Sequence, residues 1–164
     1  MYRGSSFLLQ KDYKVHKDTV KELYKEKYKH LWGISCQDLL KKDNLNRIFT
    51  LREKLNTIYI DKRKNLDSHK NVSDILISKI LMGTLGCVPA YDRFFVTAIR
   101  KYNIASGVFS KKSLYNLAKF YEDNRTSFEK CRKNILRKNL EYPQIKLIDM
   151  CFWQIGYDIE NKGS

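Results

Sequence analysis

Lys79 and Asp92 are the two residues in this chain whose chemistry could support catalysis. They flank an apolar segment, residues 80–91, which contains two of the seven glycines and one of the two prolines. A buried lysine that loses its proton can act as a nucleophile, and a neighbouring carboxylate can activate it or stabilise a cation. The sequence also allows a structural interpretation, in which Asp92 caps a helix N-terminus and pairs with Arg93 or Arg100. Lys79 then points to solvent.

The order of features in this segment resembles the middle of helix-hairpin-helix DNA glycosylase-type domains. In that family a turn between two helices approaches the DNA backbone, an aspartate follows a nearby proline at a helix start, and many members have a catalytic lysine upstream. The resemblance implies that Pro89 and Asp92 are the corresponding proline and aspartate, and that Lys79 is the corresponding lysine. It covers about twenty residues. The Gly-x-Gly hairpin of the family is replaced here by Gly83-Thr84-Leu85-Gly86, and the interval from proline to aspartate is one residue longer.

A second group with chemical potential is the set of basic residues between positions 111 and 138. On a helix, most of the later members fall on one side, away from Cys131 and Ile135. Lysines and arginines arranged in this way could neutralise phosphates along a duplex or a single strand, or they could form an ordinary solvated face. The candidate nucleic-acid-binding residues are Lys111, Lys112, Lys119, Lys130, Arg132, Lys133, Arg137 and Lys138.

Aromatic residues supply a third set of candidates, namely Tyr91, Phe152 and Trp153. The Phe152-Trp153 pair could stack against bases or anchor a protein partner, and the alternative is a role in the core. Residues 142–156, together with the apolar segment, resemble an uncharacterised family of small helical proteins from bacteria or phage. That resemblance implies no activity.

Several motifs that are typical of metal, phosphate-binding or nucleophile sites are absent from the sequence. The three histidines have no HExxH spacing, the four cysteines contain no CxxC pair, and the chain lacks GxxxxGK[ST], GxSxG and GxGxxG. We therefore predict no metal site and no cofactor. Because each cysteine lies beside apolar residues, the sequence predicts four buried, reduced thiols, which suits the cytoplasm. The histidines are His16, His30 and His69, and the cysteines are Cys36, Cys87, Cys131 and Cys151.

The charge balance points to a polyanionic partner. The 164 residues include 32 Lys or Arg against 18 Asp or Glu, which gives a net charge of +14. Nucleic acid, DNA or RNA, is the first partner to consider, and an acidic protein surface is the second. The alternative explanation is AT-rich coding, which would also enrich Lys, Asn, Ile and Tyr. The longest apolar run, residues 75–88, is interrupted by Lys79 and is too short to span a bilayer.

Long helices must position these residues, because glycine and proline are scarce and the apolar spacing is helical. We predict an all-α, compact single-domain bundle of six to eight helices over residues 1–164, with residues 1–15 irregular and 62–72 forming a polar loop. The first predicted helix runs from Asp18 to Trp32, with Val20, Leu23, Tyr24, Tyr28 and Leu31 buried, and a second long helix ends near Asp61. Three later helices start at Ser73, at either Ser110 or Ser113, and at Pro143. We also predict a C-terminal cap at Gly83 or Gly86, a bend near Asn124, and the end of the last helix at Gly156.

Three functional hypotheses follow in order of preference. The first is nucleic-acid binding through the basic helical surface, in a bacterial or phage defence or counter-defence setting. The second is a module that docks on an acidic protein through the region of Trp153. The third is a glycosylase-like enzyme that uses Asp92 and Lys79.

Overall fold

A computed structural model describes residues 13–64, 72–135 and 141–161. Within these residues the chain forms eight α-helices and no strand, which confirms the predicted all-α bundle. The helices are Lys17–Leu23 (α1), Cys36–Leu39 (α2), Lys42–Lys64 (α3), Asp74–Thr84 (α4), Arg93–Lys101 (α5), Lys111–Asp123 (α6), Arg125–Asn134 (α7) and Gln144–Asn161 (α8), with short 3-10 helices at Tyr13–His16 and Glu26–Leu31.

The core lies where α3, α4, α6 and α8 meet. Leu51, Leu55, Leu81, Leu117 and Ile148 are all fully buried and belong to one continuous apolar cluster. Within a helix the buried residues recur at helical spacing, as Leu51 and Leu55 do in α3 and Leu114 and Leu117 do in α6, so the apolar stripes identified the inward faces of these helices.

Short polar side chains set the starts of several helices. Ser73 accepts a hydrogen bond from the backbone N–H of Leu76 at the start of α4, and Ser110 accepts one from Ser113 at the start of α6. Each serine satisfies one of the donors that the first turn of a helix leaves unpaired. The predicted start at Ser73 is confirmed, and Ser110 is the correct choice at α6.

The loops and bends agree in part with the sequence. The predicted bend near Asn124 is present, because α6 ends at Asp123 and α7 begins at Arg125. The polar loop was placed too early, since residues 62–64 belong to the last turn of α3. Residues 1–12 and 65–71 lie outside the described residues.

The first predicted helix is wrong as a continuous element. The α-helix ends at Leu23, Lys25 has extended backbone angles, and a 3-10 helix then carries the chain to Leu31. The break leaves Val20 and Tyr24 exposed, and it lets Tyr28 and Leu31 turn into the core. The five apolar residues at helical spacing therefore belong to two differently oriented segments.

The predicted end of the last helix at Gly156 is also wrong, because α8 continues to Asn161. Gly156 lies where α8 crosses α5, and a Cβ at this position would come within 1.8 Å of the carbonyl oxygen of Phe94. The glycine allows two backbones to approach closely and does not terminate the helix.

Candidate nucleic-acid interface

The apolar segment between α4 and α5 is a buried connection. Gly86 has a positive φ of 63°, and a Cβ there would meet the ring of Pro143 at 2.7 Å. All residues from Leu85 to Tyr91 are buried. Of the two candidate caps, Gly86 follows α4 in the left-handed conformation, whereas Gly83 lies within the helix.

Side chains from other helices satisfy the backbone of this connection. The N–H of Ala90 donates to Oδ1 of Asp149 on α8 at 2.7 Å, and the N–H of Tyr91 donates to Oγ of Ser78 on α4 at 3.0 Å. The hydroxyls of Tyr91 and Ser113 are 2.9 Å apart. A segment that is buried and hydrogen-bonded in this way positions helices, and its backbone is not available to a phosphate at the surface.

Asp92 and Lys79 are brought together, as the catalytic hypothesis required. The Lys79 Nζ lies 3.3 Å from Oδ2 of Asp92, and both side chains are mostly covered, at 23% and 17% exposure. Asp92 is also the N-cap of α5, since its Oδ1 accepts a hydrogen bond from the N–H of Phe95 at 3.3 Å. The contacts give both residues a structural role.

The expected partners of Asp92 have other contacts. The Arg93 Nε pairs with Glu160 at 2.8 Å, and the Arg100 Nε donates to the carbonyl of Ser106 at 2.9 Å. Lys79 occupies the place that the structural interpretation gave to Arg93 or Arg100, and it does not point to solvent.

Asp149 is a buried carboxylate on α8 that accepts a hydrogen bond from the α4–α5 connection. Burial raises its pKa to about 6, the nearby charge of Asp92 acts in the same direction, and Lys146 and Lys79 oppose it. The hydrogen bond from Ala90 also favours the charged form.

The three predicted interaction residues do not form one surface. Tyr91 and Phe152 are each 4% exposed and belong to the core, so neither ring can stack against an external base. Trp153 is 36% exposed and stacks against Tyr157, and Phe94 meets both rings edge-on. The core alternative is correct for Phe152 and wrong for Trp153.

Arg132, predicted to contact phosphate, is instead part of a network between α7 and α8. Its guanidinium pairs with Glu129 at 2.8 Å and with Glu141 at 2.9 Å. Glu129 also accepts hydrogen bonds from the Tyr121 hydroxyl at 2.9 Å and from the Gln144 amide at 2.7 Å. Because its charge is matched inside the fold, Arg132 is unsuited to a phosphate contact.

Five of the other predicted basic residues divide into three groups. Lys119 pairs with Asp123 across one turn of α6 at 3.0 Å, an exposed ion pair of the kind that contributes little. Lys130 and Lys133 are exposed on α7, and neither has a carboxylate within ion-pair distance among the described residues. Arg137 and Lys138 lie outside the described residues.

Lys111 and Lys112 line a groove between the first turns of α3 and α6. The groove has a volume of about 400 Å³. Lys111 Nζ donates a hydrogen bond to Oδ1 of Asn46 at 2.7 Å, which ties the two helices together across it. We call this site the lysine groove, and its lining residues are Leu40, Lys42, Leu45, Asn46, Lys111, Lys112 and Tyr115.

The lysine groove combines basic with apolar and aromatic lining residues. No Asp or Glu is among its described lining residues, although Asp43 follows Lys42 in α3. Leu40 and Leu45 provide apolar wall, and Tyr115 presents a ring that is 40% exposed. This combination suits a ligand with negative charge and a flat apolar part.

The sequence prediction missed Lys42 and Tyr115. Lys42 is distant in sequence from Lys111, and only the packing of α3 against α6 brings the two together. Tyr115 did carry a local signal, because it falls outside the inward stripe of Leu114, Leu117 and Tyr121. Single exposed aromatic residues are common on protein surfaces, so Tyr115 becomes a candidate for ligand contact only because it lies beside Lys111 and Lys112 in the groove.

Two other grooves are less suited to a polyanion. One, of about 370 Å³, is lined by Tyr24, Trp32, Lys25, Lys29 and Glu26, and both of its lysines pair with carboxylates. The other, of about 280 Å³, lies beside His16, whose Nδ1 is 2.8 Å from the hydroxyl of Tyr59. Burial lowers the pKa of His16, so its ring carries little positive charge at neutral pH.

The described residues contain no group of three or more His, Cys, Asp or Glu side chains arranged to hold a metal ion. The prediction of four buried thiols holds for Cys36 and Cys87 and is wrong for Cys131 and Cys151, which are exposed on α7 and α8. Desolvation raises the pKa of Cys87 to about 12, so this thiol is unreactive. Among the described helices, none is long and apolar enough to cross a membrane.

Comparison of the chain with protein-family models, with curated proteins and with solved structures finds no match.

Proposed function

We propose that this protein binds nucleic acid, with weak sequence specificity, through the lysine groove and the exposed lysines of α7. The observation that carries the proposal is the groove itself, in which Lys42, Lys111 and Lys112 converge and no described carboxylate lines the wall. Ammonium groups held close together without counter-charges attract a polyanion.

The pairing of the acidic residues supports the same function. Most described carboxylates already have a basic partner within the fold, including Asp38 with Lys41 and Asp123 with Lys119. Lys42, Lys112, Lys130 and Lys133 have none among the described residues. Part of the excess charge of the chain is therefore carried by lysines of the groove and of α7.

Lysine contacts of this kind do not read sequence. An ammonium group binds a phosphate oxygen as a point charge, and phosphates are the same in every sequence. We accordingly expect affinity to depend on length and salt far more than on base order.

A charge-removal experiment tests the proposal. The variant Lys42→Gln, Lys111→Gln, Lys112→Gln should bind a fluorescent oligonucleotide roughly 10- to 100-fold more weakly at physiological salt, because three phosphate contacts are lost. The measurement is fluorescence anisotropy, with circular dichroism to show that the variant is folded.

The matched control removes the same charge elsewhere. Lys17, Lys21 and Lys54 are exposed and do not line the groove, so changing all three to Gln leaves the net charge equal to that of the groove variant. The control should retain most of the affinity. Equal losses in the two variants would mean that net charge alone drives binding and would contradict the proposed site.

Protein binding is a second candidate function, favoured by the aromatic surface on α8. Trp153 and Tyr157 stack in parallel at 5.4 Å and remain partly exposed, and Met150 is exposed on the same helix. Co-purification of one specific acidic protein that survives nuclease treatment and is lost on Trp153→Ala would favour this function over the first.

We also propose a cytoplasmic setting. All four cysteines are free thiols in the structure, and two of them are exposed, which suits a reducing compartment.

A further inference from the structure

The lysine groove is also shaped for a nucleobase. Tyr115 contributes a ring to a space of about 400 Å³, within the size range of sites that enclose small organic ligands. Lys111 and Lys112 begin α6, one turn before Tyr115, so their ammonium groups and the tyrosine ring face the same groove. A nucleotide likewise combines a negative charge with a flat apolar part.

We infer that the groove binds single-stranded nucleic acid, with one unpaired base against the ring of Tyr115 and the flanking phosphates on Lys42, Lys111 and Lys112. This inference rests on the proposed function and specifies its substrate. Stacking on an aromatic ring is available to every base, because every base has a π face, so it adds affinity without sequence preference.

A duplex cannot make this contact at the same cost. Its bases are paired and stacked, and a base can enter a side-chain groove only after it has been flipped out of the helix. A single strand already presents its bases. The combination of lysines and an exposed ring in one groove therefore selects the single strand over the duplex, whereas a purely phosphate-binding surface would accept both.

The groove also differs from a site for an acidic peptide. Carboxylate side chains would need the three lysines alone, and they would leave the ring of Tyr115 and the wall formed by Leu40 and Leu45 without a partner. Charge complementarity is shared by the two ligands, and the aromatic contact distinguishes them.

The test compares a short oligodeoxythymidylate with an abasic sugar–phosphate strand of equal length, by fluorescence anisotropy. The wild-type protein should prefer the strand with bases by roughly 5- to 150-fold, the range expected for loss of one stacked base. Tyr115→Leu should abolish the preference and Tyr115→Phe should retain it. Tyr102→Leu is the matched control, because Tyr102 is an exposed tyrosine that does not line the groove.

The inference would be overturned by equal binding of the two strands by the wild type, by a preference that persists in Tyr115→Leu, or by duplex binding as tight as single-strand binding. Competition by poly-glutamate as strong as that by the oligonucleotide would overturn it in favour of an acidic protein. These outcomes are separable from failure of the proposed function. If the groove-lysine variant loses affinity and Tyr115→Leu does not lose the preference for bases, phosphate binding by the groove is supported and the base contact at Tyr115 is contradicted.

Discussion

At the scale of single residues, Asp92 shows how one side chain can satisfy two interpretations of a sequence. It lies close to Lys79, as a catalytic pair would, and it also caps α5 through the N–H of Phe95. The cap depends on residues three positions apart and can be read from the sequence. The identity of the basic partner depends on how α4 packs beside the start of α5, and the nearby arginines in the sequence gave no guide to it.

Asp149 provides a pH-dependent prediction. Its pKa is raised from 3.8 in the unfolded reference to about 6 in the fold, so between these values the folded state binds more protons than the unfolded state. Stability must therefore fall as pH rises through this window, by about 3 kcal/mol at most. The variant Asp149→Asn stays neutral, and its amide oxygen can still accept the hydrogen bond from Ala90.

The measurement is the free energy of unfolding in urea for both proteins from pH 4 to pH 8. The stability of Asp149→Asn minus that of the wild type should grow between pH 4 and about pH 6 and then level off. Taking the difference removes the opposite trend of Asp18, Asp38 and Glu129, whose pKa values are lowered. Parallel curves would show that burial of Asp149 does not penalise its charge.

At the scale of elements, local signals predicted helix starts better than helix ends. Ser73 and Ser110 indicate the starts of α4 and α6 in the sequence because an N-cap involves only neighbouring residues. The break after Leu23 has no comparable signal, since the chain leaves the helix there to bury Tyr28 and Leu31. Gly156 misled the prediction for a related reason, because it serves the contact with α5 and not the backbone of its own helix.

Two helical glycines, one at the crossing of α5 and α8 and one in α4, should respond in opposite ways to replacement by alanine. In Gly156→Ala the new methyl group would overlap the carbonyl of Phe94 on α5, so we expect a loss of about 3 kcal/mol or more in unfolding free energy. In Gly83→Ala the methyl group enters open space at the exposed end of α4, and we expect a gain of up to about 1 kcal/mol.

Chemical denaturation monitored by far-ultraviolet circular dichroism measures both changes. The Gly83 variant controls for the general effect of replacing a helical glycine. A Gly156→Ala protein as stable as the wild type would mean that the two helices do not approach as closely as described.

At the scale of the whole molecule, the sequence predicted the fold class and indicated Lys111 and Lys112 as candidate phosphate contacts, but it did not predict which basic residues lack an acidic partner. Arg132 forms ion pairs within the fold. Lys42, which no local sequence pattern indicated, lines the same groove as Lys111 and Lys112. Which cations stay free depends on which carboxylates the fold brings near them. That is a property of tertiary packing, and composition and helical periodicity do not contain it.

The salt dependence of nucleic-acid affinity is the sharpest test of phosphate binding by Lys42, Lys111 and Lys112. Each phosphate contact made by a lysine releases condensed counterions, so the logarithm of the association constant should fall linearly with the logarithm of salt concentration, by roughly 0.7 per contact on a single strand. We predict a steep slope for the wild type and a slope shallower by about 2 for the variant Lys42→Gln, Lys111→Gln, Lys112→Gln. The same slope in both proteins, or no measurable binding by the wild type at low salt, would contradict the account.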